Sequence, residues 1–260
     1  MHNCAKAVDL SQELTDWFHC PMGQTLQRLE GDRLADVLSK LYGPVAVQIG
    51  RYGDADFLQA SLAATRIVLE YPSWGGGHNE VGVRAQPDAL PFDTKSIHVA
   101  VLPHTLDFAD DPHGVLREVD RVLMPEGHVV IIGFNPLSLW GIRKWMRLPV
   151  VGRRQQVPWC GQFLRLARIK DWLALLDFET IAGNMLYYRP PVGNAVLYEK
   201  LRFLEPAGDR WWPMLAAVYI LVAKKRELGM TPIRPEWKTK NAVVRPLAEP
   251  VARGVRHAQG

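Results

Sequence analysis

The chain has 260 residues, of which 48% are hydrophobic and 22% are charged, a composition typical of one large globular domain and not of a disordered or fibrous protein. Its three cysteines, Cys4, Cys20 and Cys160, are odd in number and widely spaced, which argues against a disulfide framework and predicts no metal site. Residues 1–17 lack the apolar core of a signal peptide, and the longest apolar run, 214–223, is half of the ~20 residues that a membrane span requires. We therefore expect a reduced, cytoplasmic protein.

The net charge of +4 is unevenly distributed along the chain. Residues 231–260 hold six basic and two acidic side chains, and residues 141–170 hold eight basic side chains and no acidic one. The rest of the chain therefore carries a net charge of −8. Because the net positive charge is confined to these two segments, its distribution favours a local anionic or aromatic partner over general affinity for nucleic acid.

In chain order, leucines at helical spacing over 23–41 predict an amphipathic helix, which we place in an N-terminal helical extension over 1–44. A short apolar run at 45–49 predicts the first strand. After a glycine-containing turn, residues 54–65 predict a second amphipathic helix, with two acidic side chains where the helix dipole favours them.

The same alternation continues through the middle of the chain. Residues 111–123 predict a helix with Pro112 in its first turn, where the missing N–H costs little. Apolar or alternating runs predict further strands at 66–71, 81–86, 97–103 and 128–133. Strands that alternate with helices predict an α/β fold with a doubly wound parallel sheet, because parallel strands need crossover connections.

The second half is less regular. A domain over 45–230 is predicted to contain two insertions, at about 134–160 and 189–214, both rich in tryptophan and proline. Between and after them we expect a helix over 160–176 and strands over 178–188 and 216–223. Residues 231–260, with four prolines and little apolar periodicity, are expected to form a disordered basic tail.

One ordered string of residues carries a family resemblance. It comprises Leu90-Pro91-Phe92, His104, Leu106, Asp107, Asp111-Pro112, Leu116-Arg117-Glu118, Arg121-Val122-Leu123 and Pro125-Glu126-Gly127. In this order the residues resemble the middle of class I S-adenosylmethionine-dependent methyltransferases of the type-11 group. The resemblance implies a Rossmann-like fold, with helices on both faces of a mostly parallel sheet and a final antiparallel strand, and S-adenosyl-L-methionine as the cofactor.

In that fold the cofactor lies at the carboxyl ends of the first strands. The resemblance places Gln48, Gly50 and Gly53 at the first turn, where Gly50 would let the backbone approach the methionine end of the cofactor. Gln48 stands where the family usually has an acid, and Tyr52 stands where it usually has a glycine. Glu70, at the end of the second strand, is expected to accept hydrogen bonds from both ribose hydroxyls.

The adenine end and the methyl-transfer end involve later turns. Gln86, Asp88 and Ala89 are expected to line the adenine edge, and the Gln86 carbonyl could accept a hydrogen bond from the adenine amino group. His104, at the end of the fourth predicted strand, is expected to face the crevice, where it could cover the cofactor or act as a base. No residue is assigned as catalytic beyond this candidate.

The first insertion is the expected wall of the acceptor site, with Trp140, Arg143 and Trp145 as candidates. Tryptophan and arginine together could hold a flat or anionic small molecule, lie in a membrane interface, or contact RNA. A solvated, partly packed lid is the fourth alternative. A small-molecule acceptor is preferred among these, and the sequence defines no oligomeric state.

The leading functional hypothesis is therefore methyl transfer from S-adenosylmethionine to a small organic acceptor. A methyltransferase-like binding module that has lost catalysis is the alternative, because Gln48, Tyr52, Gln86 and His98 depart from the family pattern in or next to the crevice. In addition, only a short link at 72–80 stands in place of the usual second crossover helix. A nicotinamide-dependent oxidoreductase is disfavoured, because Arg51-Tyr52 breaks the glycine spacing that such enzymes require.

Overall fold

The structure is a computed structural model that describes residue 14 and residues 16–52, 55–70, 83–146, 160–191 and 200–226. The chain divides into two units, Met1–Glu227 and Leu228–Gly260, and the described residues all belong to the first. The predictions for Gly53 and for the tail at 231–260 fall outside the described residues.

The described strands form one seven-stranded sheet in the order β3-β2-β1-β4-β5-β7-β6. The strands are β1 Val45–Ile49, β2 Thr65–Glu70, β3 Val83–Arg84, β4 Ile97–Pro103, β5 Leu123–Phe134, β6 Phe178–Leu186 and β7 Val218–Lys225. Strands β1 to β5 pair in parallel, and β7 runs antiparallel between β5 and β6. This arrangement confirms the predicted fold class.

Helices cover both faces of the sheet. They are α1 Pro21–Leu38, α2 Thr105–Phe108, α3 Pro112–Val122, α4 Leu139–Trp145, α5 Leu166–Leu175 and α6 Leu204–Trp211. The α1 side chains Leu26 and Leu34 pack on one face of the sheet, whereas Val115 and Val119 of α3 pack on the other. None of the described helices is long and apolar enough to cross a membrane.

The predicted helix at 54–65 is wrong. Within that range the described residues contain one short 3-10 helix, Phe57–Ala60, and Thr65 already belongs to β2. The buried amide of Gln48 donates to the Ala55 carbonyl oxygen at 3.1 Å and accepts from the Phe57 N–H at 2.9 Å. These bonds occupy backbone groups that a longer helix would use, and α1 packs against the short helix that remains.

Other boundaries moved by a few residues. The helix predicted to start at 160 begins at Leu166, and the strand predicted at 81–86 is described only over Val83–Arg84. The first insertion contains the helix α4, which its weak periodicity did not predict. A segment of seven helical residues offers too few turns for periodicity to be recognised.

Candidate functional site

The carboxyl ends of β1, β2 and β4 meet at one edge of the sheet. The strand order reverses between β1 and β4, and open α/β sheets bind ligands in the crevice at such a switch point. Gly50 directly follows β1 with a φ of 98°, and its N–H donates to the Leu69 carbonyl oxygen at 3.0 Å. Because side chains rarely tolerate this backbone conformation, glycine keeps the turn compact and lets a ligand approach the main chain.

Glu70 lies beside this turn, at the end of β2. Its side chain is buried, and it forms ion pairs with Arg51 and Arg84 in which the nitrogen and oxygen atoms are 3.8 and 3.9 Å apart. Both distances are too long for hydrogen bonds. Within the described residues, the two guanidinium groups therefore balance the charge of Glu70 without occupying its acceptor positions.

The turn after β3 continues the same edge. Arg84 pairs with Glu70 in the sheet, and two residues later Gln86 and Ala89 form an isolated bridge, with the Ala89 N–H donating to the Gln86 carbonyl oxygen at 3.2 Å. Gln86, Asp88 and Ala89 are all exposed. The structure thus brings the residues predicted for the adenine edge to the sheet edge that holds Glu70.

Two α3 residues from the ordered string that resembles the methyltransferases, Glu118 and Arg121, hold this turn in place. Glu118 accepts from the Leu90 N–H at 2.9 Å, and Arg121 binds Glu118 through two nitrogen atoms at 2.7 and 2.9 Å. Arg121 also donates to the Leu90 carbonyl oxygen at 3.2 Å. These hydrogen bonds lower the pKa of Glu118, because they favour its charged form. Their structural role is to fix α3 against the turn.

The first turn is filled by its own side chains. The side chain of Gln48 is fully buried, and besides its bonds to residues 55 and 57 its amide donates to the Gly50 carbonyl oxygen at 3.0 Å. Both the NH2 group and the carbonyl oxygen of the Gln48 side chain already form hydrogen bonds within the protein. A cofactor could therefore contact Gln48 only through its backbone. Tyr52 is buried too, stacked on Phe18 with the ring centroids 5.5 Å apart.

A buried charged cluster lies beneath this turn. The side chain of His104 is inaccessible to solvent, with Nε2 2.8 Å from Glu30 Oε1 and Nδ1 3.0 Å from Asp107 Oδ2. Asp107 also accepts from the Phe134 N–H at 3.0 Å. Because both ring nitrogens of His104 are bound to carboxylates, neither can contact a methyl-acceptor substrate in this arrangement. The expectation that the His104 side chain faces the crevice as a base is therefore corrected.

The cluster favours the imidazolium form of His104. Burial by itself lowers the pKa of this histidine, but the charge of Glu30 and the hydrogen bonds that the imidazolium donates to both carboxylates raise it to about 9. His104 therefore stays charged at neutral pH. It also adopts a left-handed backbone conformation with a φ of 47°, which is uncommon for a residue with a side chain.

The sequence did not predict Glu30 or Phe18 as parts of this region. Glu30 is four residues from both Leu26 and Leu34 on α1, and all three are buried. A carboxylate at a core position of an amphipathic helix is the signal that could have found it, because such a group requires a buried partner. Phe18, which precedes α1, carried no comparable signal.

The three acceptor-site candidates have different environments. Trp140 is buried, and its indole N–H donates to the Arg189 carbonyl oxygen at 2.9 Å, so it belongs to the core and not to a pocket wall. Arg143 donates a hydrogen bond to the Pro191 carbonyl oxygen. Trp145 is 84% exposed at the end of α4. The structure does not bring these three side chains together around a common cavity in its described part.

Comparison with known proteins defines the class. A family model described as a methyltransferase domain matches residues 59–131, which include Glu70, the turn at 86–89 and His104. The chain belongs to the class I S-adenosylmethionine-dependent methyltransferases, and the cofactor of that family is S-adenosylmethionine. The match begins after the first turn, where the sequence departs most from the family pattern.

Individual proteins are similar to this chain in sequence or in fold. The chain is 31% identical over 227 residues to the uncharacterized protein YafS of Escherichia coli, and the match covers 86% of each chain. A SAM-dependent methyltransferase from Thermotoga maritima shares the fold with a TM-score of 0.58 and 17% identity, over 85% of this chain and 99% of that one. Geranyl diphosphate C-methyltransferase from Streptomyces coelicolor, solved with S-adenosyl-L-homocysteine, gives a TM-score of 0.50 and 14% identity over 76% of each chain.

The described residues fit the nucleoside part of this cofactor. A buried carboxylate with open acceptor positions, Glu70, lies next to a glycine turn that admits close approach, and an exposed turn follows along the same edge. A ribose diol needs such a pair of acceptor oxygens. At the methionine end the fit depends on backbone groups, since the Gln48 side chain is engaged and Tyr52 is packed.

Proposed function

We propose that the protein is a cytoplasmic enzyme that transfers the methyl group of S-adenosylmethionine to a small organic acceptor. The observation that supports this most is the buried Glu70 carboxylate at the end of β2, next to Gly50 at the switch point of the sheet. The bound cofactor supplies an activated methyl group on a sulfonium. The protein has to bind, orient and exclude water, since such a transfer needs alignment above all.

The structure offers candidate residues for binding and orienting the cofactor. Glu70 accepts hydrogen bonds from the two ribose hydroxyls, and the backbone at Gly50 approaches the methionine end. The exposed turn holding Gln86, Asp88 and Ala89 borders the adenine, with the Gln86 side-chain carbonyl as an acceptor for the adenine amino group. Arg51 and Arg84 flank Glu70, with nitrogen atoms 3.8 and 3.9 Å from its carboxylate oxygens.

His104 has a positioning role in this proposal. Its two carboxylate partners link α1 to the carboxyl end of β4, and its imidazolium stacks on Phe134 with the ring centroids 4.1 Å apart. Since the imidazolium has no lone pair to accept a proton, deprotonation of the acceptor does not involve it. An acceptor that is nucleophilic without a protein base suits the site best.

Calorimetry of cofactor binding tests the proposal. We expect the wild-type chain to bind S-adenosylmethionine, and Glu70→Ala to weaken binding about 100-fold, because two charge-assisted hydrogen bonds are lost. Asp93→Ala is a matched control, since Asp93 is exposed on the loop before β4. The proposal would be refuted if the wild-type protein showed no binding at a cofactor concentration of about 1 mM, because its affinity would then be too weak for an enzyme that uses this cofactor.

A second candidate function is a methyltransferase-like binding module without catalysis. It is supported by the replacement of the first crossover helix with a short 3-10 helix and by the engaged Gln48 and packed Tyr52. This function predicts that Glu70→Ala leaves the affinity for a partner unchanged. Partner affinity that depends on the cofactor would argue against it.

A further inference from the structure

The first unit contains a cavity of about 370 Å³ that is separate from the proposed cofactor site. The cavity lies between α1, α6 and the end of β6. In the sheet, four strands separate β6 from β2, which carries Glu70. A cavity of this volume is typical of sites that bind small organic ligands, so its lining indicates which chemistry it could hold.

The walls of the cavity carry an excess of negative charge. Asp32 and Asp36 lie about one helical turn apart on α1, and Glu205 and Asp209 lie about one turn apart on α6. Arg33 is the only cationic side chain among the described residues that line the cavity. The lining therefore places four carboxylates against one guanidinium group.

One of the four carboxylates, that of Glu205, holds α6 against the end of β6. It accepts from the Tyr188 N–H at 3.2 Å, and its Oε1 atom lies 3.3 Å from Arg189 Nε. Arg189 therefore balances the charge of Glu205. The remaining negative charge belongs to the three aspartates, which are exposed and which Arg33 offsets only in part.

A buried hydroxyl group at the cavity is incompletely bonded. Tyr188 lines the cavity and is 9% exposed, and its hydroxyl oxygen is buried without a hydrogen bond of normal geometry to any described residue. Burial and the charges of Asp209 and Glu205 raise the pKa of Tyr188 to about 12, which places the hydroxyl near these two cavity carboxylates. Because buried polar groups normally have partners, this hydroxyl indicates a ligand that supplies one.

The lining favours an organic cation over a metal ion. A metal ion needs several ligand atoms around one point, and the described residues contain no group of three or more histidine, cysteine, aspartate or glutamate side chains that could hold one. The cavity is also lined by the apolar side chains of Leu29, Met185 and Leu186. Separate carboxylates and apolar side chains together suit ammonium groups on a hydrocarbon stem.

We propose that this cavity binds a small organic amine in its charged form. The ammonium groups pair with Asp36 on α1 and Asp209 on α6, and one of them donates a hydrogen bond to the Tyr188 hydroxyl oxygen. The hydrocarbon stem lies against Leu29 and Met185. Because the carboxylates favour the charged form of the amine, the bound nitrogen keeps its proton and is not itself a nucleophile. Binding of the amine is therefore independent of the proposed methyl transfer and does not require the cofactor.

Calorimetry of the full chain with the diamine putrescine, at neutral pH and low salt, tests this proposal. We expect saturable binding, and binding at least about tenfold weaker for the uncharged analogue butanediol, because charge-assisted hydrogen bonds are lost. The double variant Asp36→Asn, Asp209→Asn should weaken putrescine binding at least about tenfold for the same reason. Tyr188→Phe should weaken it at least about threefold, while urea denaturation shows no loss of stability, because the hydroxyl that is removed has no partner in the free protein.

The matched control is the double variant Asp110→Asn, Asp171→Asn, which removes the same charge from exposed residues outside the cavity and should leave putrescine affinity unchanged. Glu70→Ala should leave it unchanged as well, so a failure of the cofactor proposal can be told apart from a failure of this one. The proposal is overturned if the wild type shows no saturable binding, or if butanediol or Mg²⁺ binds as tightly as putrescine. It is also overturned if either cavity variant binds putrescine as the wild type does, or if the control variant loses as much affinity as the cavity double variant.

Discussion

Replacing Glu30 by Gln separates the charge of the buried cluster from its shape. The glutamine side chain has nearly the same size and can still accept a hydrogen bond from His104 Nε2, which lies 2.8 Å from Glu30 Oε1. What disappears is the negative charge that opposes the burial of the imidazolium. We expect the pKa of His104 to fall, because burial lowers it and one of the two carboxylates that raise it is gone.

The size of the effect follows from the shift in the pKa of His104. A folded-state pKa of about 9 against 6.5 in the unfolded chain corresponds to about 3 kcal/mol of stabilisation. Because the folded-state pKa is raised, this contribution is fully present below pH 6.5 and is lost as the pH rises through 9. The charge of Glu30 is the largest of the interactions that raise this pKa, so Glu30→Gln should remove much of this contribution of about 3 kcal/mol at pH 6, and much less above pH 9.

Urea denaturation followed by circular dichroism, at a series of pH values from 6 to about 10, measures this difference. Asp32→Asn is the control, because Asp32 is exposed on the same helix and its loss should change stability by less than about 0.5 kcal/mol. Parallel stability profiles for the wild type and Glu30→Gln across this pH range would refute the assigned role of the cluster.

Three further substitutions have defined outcomes. Gly50→Ala should destabilise the fold by about 1 to 2 kcal/mol, because alanine at a φ of 98° is strained, and thermal unfolding measures the loss. Gln48→Leu should cost about 2 to 4 kcal/mol in urea denaturation, since it leaves buried backbone groups of residues 55 and 57 without partners, whereas the exposed Gln59→Leu should be nearly neutral. Trp140→Phe should cost about 1 to 3 kcal/mol in the same assay through the lost hydrogen bond to Arg189, whereas Trp145→Phe should have no effect; equal losses would contradict the buried position of Trp140.

The sequence predicted those features that depend on local pattern. Continuous apolar runs predicted β4 and β5, because strands covered on both faces need apolar side chains in both directions. Asp111 and Pro112 predicted the start of α3, where the Asp111 carboxylate caps the Gly114 N–H at 2.9 Å. The string that carried the family resemblance includes Glu118 and Arg121, whose contacts with the turn at Leu90 give the motif a structural cause.

The features that the sequence did not predict depend on contacts between distant residues. Glu30 and His104 are 74 positions apart, and no local pattern links a helix in the N-terminal extension to the end of β4. The missing crossover helix has a similar origin, because Gln48 binds backbone groups seven and nine residues further on. The local pattern at 54–65 favoured a helix, and these tertiary contacts overrode it.

These contacts give the first turn a different construction from the one the family pattern implies. Where a glycine-rich turn leaves space, this chain packs Tyr52 between Phe18 and His104, and the imidazolium beneath it is held by Glu30 of α1. The N-terminal extension is therefore part of the sheet edge at which we propose that the cofactor binds. Since Tyr52 rests on residues of that extension, cofactor affinity and the stability of α1 should change together, and Glu30→Gln should weaken binding of S-adenosylmethionine in calorimetry while Asp32→Asn should not.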